Sequence, residues 1–146
     1  EYVFHCICFT YGANLIKLNQ MKKQIKSVKK FHEAFGIKNL ETPNSNIDNN
    51  VYQLRYKLMH EENLEYLEAC KKNDLVEIAD ALGDMMYILC GTILSHGLQD
   101  NIEDIFEEIQ KSNMSKLGSN GKPIYRNDGK IMKGPGYFKP DIKKVL

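Results

Sequence analysis

Glu61-Glu62-Asn63-Leu64-Glu65 and, past a break at Asn73-Asp74, Glu77-Ile78-Ala79-Asp80-Ala81-Leu82-Gly83-Asp84 put six carboxylates on two segments of helical pattern. In the first, Asn50 as N-cap with Gln53 three residues on predicts a helix over 51–72. Leu54 and Leu58 set its inward stripe, which continues onto Glu61, Glu62 and Glu65. At about 100° per residue, Glu61 and Glu65 lie about 40° apart and Glu62 and Glu65 about 60°, so the three share one arc. In the second, Asp74 with Glu77 reads as N-cap and N3 partner of a helix ending near Ser95, before His96-Gly97. Its apolar stripe is Ile78, Leu82, Met85 or Met86, Leu89 and Ile93; Glu77, Asp80 and Asp84 run beside it. The connector 71–74 is short, which predicts an antiparallel αα-hairpin with the two acidic strips face to face.

Carboxylates held together on a semi-buried surface repel and lose hydration, so the arrangement calls for compensation. Basic residues do not supply it: Lys71 and Lys72 are at the helix end, and Arg55 and Lys57 are read as lying off the stripe. An all-oxygen donor set suits a hard divalent cation, Mg²⁺ or Mn²⁺, in preference to Zn²⁺.

Glu61-Glu62-x-x-Glu65 followed by Glu77-x-x-Asp80 resembles the paired motif of the all-α nucleoside triphosphate pyrophosphohydrolases, which include MazG-type enzymes, phosphoribosyl-ATP pyrophosphohydrolase and dimeric dUTPases. Ser112-Asn113-Met114-Ser115-Lys116-Leu117, Gly121-Lys122-Pro123-Ile124-Tyr125 and Gly134-Pro135-Gly136-Tyr137-Phe138 look like a bacterial and phage branch of that group. Asp80-x-x-x-Asp84 adds a second acidic frame, because MazG-type members often carry the aspartate in a context like Leu82-Gly83-Asp84. The resemblance implies Mg²⁺-dependent cleavage of a (d)NTP to (d)NMP and pyrophosphate, in housecleaning of aberrant or excess nucleotides. It implies Glu62, Glu65, Glu77 and Asp80 as metal ligands, Glu61 as the group that orients or deprotonates water, and Asp84 as holder of a further metal or the nucleotide. Phosphoribosyl-ATP or dUTP specificity and a non-catalytic helical nucleotide-binding or interaction module are the alternatives. Relatives of this type form dimers or tetramers, so a four-helix core completed by a homodimer or homotetramer is expected.

Composition agrees with one all-α domain: 42% apolar and 27% charged residues, no Trp, four Pro. The net charge of +1 hides an asymmetry. From Lys111 onward nine Lys or Arg face only Asp128 and Asp141. No helix there carries an Arg stripe interleaved with aromatics, so nucleic acid is not the expected partner. The basic segment is instead expected to contact the nucleotide: Lys111, Asn113 and Lys116 first, then Lys122, Arg126 and Lys133.

Elsewhere the pattern predicts a helix over 22–35 with Ile25, Val28, Phe31 or His32, and Phe35 inward. A polar stretch containing Pro43 follows, which the pattern reads as mobile. Asn101 should cap a helix reaching about Leu117, and residues 123–133 suggest a short β-hairpin or extended tail. Residues 1–20 read as an extension upstream of a domain over 21–146, with neither signal-peptide nor transmembrane character. The four cysteines form neither a disulfide nor a zinc framework, which places the chain in the reducing cytoplasm without a membrane partner.

Overall fold

A computed structural model describes residues 20–146. The expectations for residues 1–19, including Cys6 and Cys8, lie outside the described residues. Five helices follow in order: α1 Gln20–Ala34, α2 Asn49–Lys72, α3 Leu75–Ser95, α4 Ile102–Met114 and α5 Ile142–Val145. The chain divides into two compact units, one ending at Gln99 and one spanning Asp100–Leu146. The all-α expectation holds.

In the first unit α2 and α3 form the antiparallel hairpin, and α1 packs on α3. Asn73 makes the reversal in the left-handed region at φ 54°, and its N–H returns to the Ala69 and Cys70 carbonyls. Asp74 then caps α3 by accepting from the N–H groups of Val76 and Glu77. At the start of α2 the cap is Asp48, two residues before the expected Asn50: its carboxylate accepts from Asn50 N–H at 2.7 Å. The helix therefore begins at Asn49.

Burial corrects the stripes. On α1, Ile25, Val28 and His32 are buried, while Phe31 and Phe35 are exposed and stack on each other at 4.3 Å between centroids. On α2 the inward line is Arg55, Leu58, Met59, Glu62 and Ala69; Leu54 is 52% exposed. On α3 Ala81, Cys90, Ile93 and Leu94 are buried, whereas Leu82 and Leu89 are exposed. Periodicity fixed an arc of each helix, and the identity of the packed neighbours rotated its centre by one residue.

The segment between α1 and α2, expected to be mobile, is tied to the end of α3. Leu40 N–H donates to Leu94 C=O and Asn44 N–H to His96 C=O, both at 3.0 Å, and the Gln99 amide donates to Leu40 C=O at 2.9 Å. These bonds satisfy carbonyls that the helix end leaves free. Gly97 closes the turn at φ +69°, where a Cβ would lie 2.1 Å from the Thr42 carbonyl oxygen.

In the second unit α4 stops at Met114, short of Leu117. Asn101 makes no capping bond; its amide donates to Val145 C=O. Ser112 Oγ donates to Phe138 C=O at 2.8 Å, and Phe138 N–H donates to Ser115 Oγ at 3.1 Å. The β-hairpin is not formed. Among the described residues there is only an isolated antiparallel bridge, Tyr125 with Ile131, on a turn at Gly129.

Gly97→Ala should lower stability by about 2–4 kcal/mol, because strained φ and a backbone clash coincide there. Gly83→Ala, where an added Cβ meets nothing within 4 Å, should be neutral or stabilising by about 0.5–1 kcal/mol. Urea denaturation of the two variants checks both values.

Candidate functional site

Glu62 and Asp84 stand at equal sequence distance from Asn73, on opposite arms of the hairpin. The reversal therefore sets them across from each other. Glu62 is half-buried, and its Oε2 is enclosed with no hydrogen-bond partner. Burial first, and then the charges of Glu65, Asp84, Glu61 and Asp80, push its carboxyl above the ordinary glutamate range. Four of the other five acids picked out by the pattern, two on each helix, thus act on Glu62. Glu77 is not among the charges acting on Glu62; it lies in the first turn of α3, opposite Ala69 by the same register.

Only Glu62 is drawn in from solvent. Glu61, Glu65, Glu77, Asp80 and Asp84 are exposed, which corrects the expectation that both strips face the interior. Among the described residues no three acidic, His or Cys side chains close into a ready ligand cage. Like charges spread apart in that way. An unpartnered, enclosed carboxylate oxygen beside four further carboxylates still fits a hard divalent cation, which needs oxygen donors.

In the second unit Lys116, two residues past the end of α4, donates from Nζ to Asn113 Oδ1 at 2.7 Å. Lys111 lies 3.8 Å from Glu108. Lys122 is exposed, Arg126 is paired with Asp128, and Lys133 lies 4.4 Å over the Tyr137 ring. Of the basic residues expected to contact a nucleotide, Lys111, Lys116, Arg126 and Lys133 thus each have a partner within the second unit.

Two features were missed in sequence. Arg55, read as off the stripe, is half-buried on the α2 line that carries Glu62, seven residues before it. It meets the buried His32, whose Nε2 is 3.4 Å from an Arg55 terminal nitrogen. The i, i+7 spacing to Glu62 is the signal that could have found it. The second is a cavity of about 180 Å³ between α1 and α3, lined by Lys23, Gln24, Ser27, Gly83, Met86 and Tyr87 among others. Cys70 and Cys90 are free thiols, and burial pushes that of Cys90 up.

A helical hairpin with carboxylates on both arms and a partly buried acid at its centre places the protein in a class of all-α hairpin folds with an acidic centre. The family model for phosphoribosyl-ATP pyrophosphohydrolase matches residues 28–113, more than half of the chain, and the protein belongs to that family within the all-α MazG-like pyrophosphohydrolases. No curated protein matches the chain significantly.

Because Glu62 holds its proton more tightly folded than unfolded, the metal-free protein should lose stability as pH rises from the ordinary glutamate value of 4.5. Melting temperatures measured in EDTA should fall with pH in that window, and Glu62→Gln should flatten the fall and raise the midpoint at neutral pH. An equal slope in both proteins would show that the Glu62 charge is not its source.

Proposed function

We propose that this protein is a Mg²⁺-dependent nucleotide pyrophosphohydrolase that cleaves nucleoside triphosphates to the monophosphate and pyrophosphate. The observation that carries the reading is Glu62: an enclosed carboxylate with an unpartnered oxygen, under the charges of Glu61 and Glu65 on its own helix and of Asp80 and Asp84 on the other arm of the hairpin. Family membership gives the coarser activity, pyrophosphate-bond hydrolysis.

In this reading Glu62, Glu65, Asp80 and Asp84 hold the cation, with Glu77 a ligand only if the first turn of α3 contributes. Bound there, Mg²⁺ would neutralise the polyphosphate and lower the pKa of the attacking water. Glu61 takes the proton of that water as its oxygen bonds to the α-phosphorus. The bond from that phosphorus to the bridging oxygen breaks, and pyrophosphate leaves with the electron pair. Lys111, Asn113, Lys116 and Lys122 of the second unit are candidate anion contacts in their own right, and Tyr87, three residues after Asp84 on α3, offers a flat ring to a base. Housecleaning of aberrant nucleotides is the role we assign; phosphoribosyl-ATP, named in the matched family's description, is the second substrate to test.

The same reading includes assembly. α3 is long and apolar enough to cross a membrane by length and composition. Leu75, Val76, Leu82 and Leu89 on it are nonetheless exposed, alongside Leu64 and Leu67 of α2. Apolar side chains exposed together on two neighbouring helices are more stable when covered. We propose that a second copy covers it, in a homodimer or homotetramer working in the reducing cytoplasm.

Glu62→Gln and Asp80→Asn should stay folded and lose Mg²⁺-dependent pyrophosphate release by about a hundredfold or more. Asp84→Asn should follow them, while Glu77→Gln should lose less than about tenfold if it is outside the ligand set. The assay is pyrophosphate release from a panel of canonical and modified nucleotides and phosphoribosyl-ATP, with Mg²⁺ and Mn²⁺. Full activity in Glu62→Gln or Asp80→Asn discards the reading. An unchanged melting temperature with Mg²⁺ and a nonhydrolysable nucleotide supports a non-catalytic module instead.

A further inference from the structure

Arg55 is a cation without a counter-charge. It is half-buried, burial pulls its guanidinium below the usual range, and its Nε is enclosed with no hydrogen-bond partner. Among the described residues no carboxylate forms an ion pair with it, whereas Lys71 pairs with Glu68 and Arg126 with Asp128. A guanidinium stays charged at any pH the fold meets, so it cannot escape by losing its proton.

Its neighbours place the group without neutralising it. Gly91 on α3 makes the room: an added Cβ would lie 2.9 Å from one terminal nitrogen of Arg55 and 3.1 Å from His32 Nε2. His32, 2% exposed, bonds through Nδ1 to Asn39 Oδ1 at 2.5 Å. That oxygen only accepts, so Nδ1 carries the proton and Nε2 is left to accept from Arg55. The imidazole is therefore a brace, and Asn39 fixes its orientation. A partly desolvated cation without a counter-charge costs stability unless an anion joins it.

We infer that Arg55, braced by His32 and seated against Gly91, is the receptor for a phosphate-class oxyanion, a second binding site on the α2 face that carries Glu62. Seven residues separate the two side chains, about 10 Å along the helix. An anion at Arg55 is thus separate from any phosphate at the carboxylates, and the site stands whether or not the carboxylates support hydrolysis. With Nε enclosed and one terminal nitrogen turned to His32, the two terminal nitrogens are the donors left for an anion, and a tetrahedral oxyanion can accept from both at once. The anion is either a phosphate group of the nucleotide or its product, or free inorganic phosphate.

The test uses the full chain in EDTA, where the acidic strip repels anions. Inorganic phosphate and pyrophosphate are titrated separately at constant ionic strength against chloride, following the His32 ring resonances by NMR together with the melting temperature. Both oxyanions should move the His32 signals and raise the melting temperature, and chloride should do neither. Arg55→Gln should weaken the response about tenfold or more. Arg55→Lys, which keeps the charge and loses the fork, should weaken it less and carries the comparison if the first variant is unfolded. A raised KM with little change in kcat for Arg55→Lys assigns the anion to the nucleotide; an unchanged KM assigns it to free phosphate. His32 resonances indifferent to both oxyanions, or a variant that responds like the parent, would overturn the inference. Loss of Mg²⁺-dependent turnover in Glu62→Gln does not bear on it, so the two readings fail separately.

Discussion

The left-handed turn at Asn73, closed by the Asp74 cap, sets the register on which the first unit depends. Residues equally distant from Asn73 meet across the hairpin: Glu62 meets Asp84, and Arg55 meets Gly91. A slip of one residue at the connection would turn each partner by about 100° and separate both pairs. The charge pattern is therefore a product of turn geometry as much as of helix composition. This is why two residues with no chemical role, one in an αL conformation and one capping, control the site.

The hairpin was legible because its signals are local. Asp74 three residues before Glu77, the short connector and the 3.6-residue pattern need no knowledge of what packs where. The ends were legible to within a few residues. Asn50 looked like the cap of α2, yet Asp48 accepts from the Asn50 N–H, since either residue type serves and sequence does not rank them. The hairpin expected over residues 123–133 stopped at one bridge, because the turn at Gly129 forms without enough paired strand on either side to extend the ladder.

The centre of each buried stripe was not legible. Phe31 and Phe35 are larger and more apolar than His32, and an area argument places them inward; the structure buries His32. What decides it lies elsewhere in the chain: Asn39 supplies a bond to one ring nitrogen, Arg55 to the other, and Gly91 the space. Buried polar groups are admitted when their partners are present, and partners distant in sequence cannot be seen in a periodic pattern. The same limit hid Arg55. Judged against the Leu54 and Leu58 line it lies to one side, but the packed line is Arg55, Leu58, Met59 and Glu62.

The resulting face carries opposite electrostatic deficits at its two ends. Around Glu62 anionic charge is in excess, and the carboxyl answers by holding its proton more tightly. Around Arg55 cationic charge is in excess, and the side chain has no comparable escape. Leu58 and Met59 separate them, so neither end can neutralise the other by direct contact. Were the two charges a structural ion pair, a spacing of three or four residues would have served, as it does for Lys71 and Glu68. Seven residues keeps them on one line and out of reach, an arrangement that costs stability at both ends. Such a cost is characteristic of surfaces shaped for ligands, where the missing charge arrives from outside: a cation at one end and an oxyanion at the other.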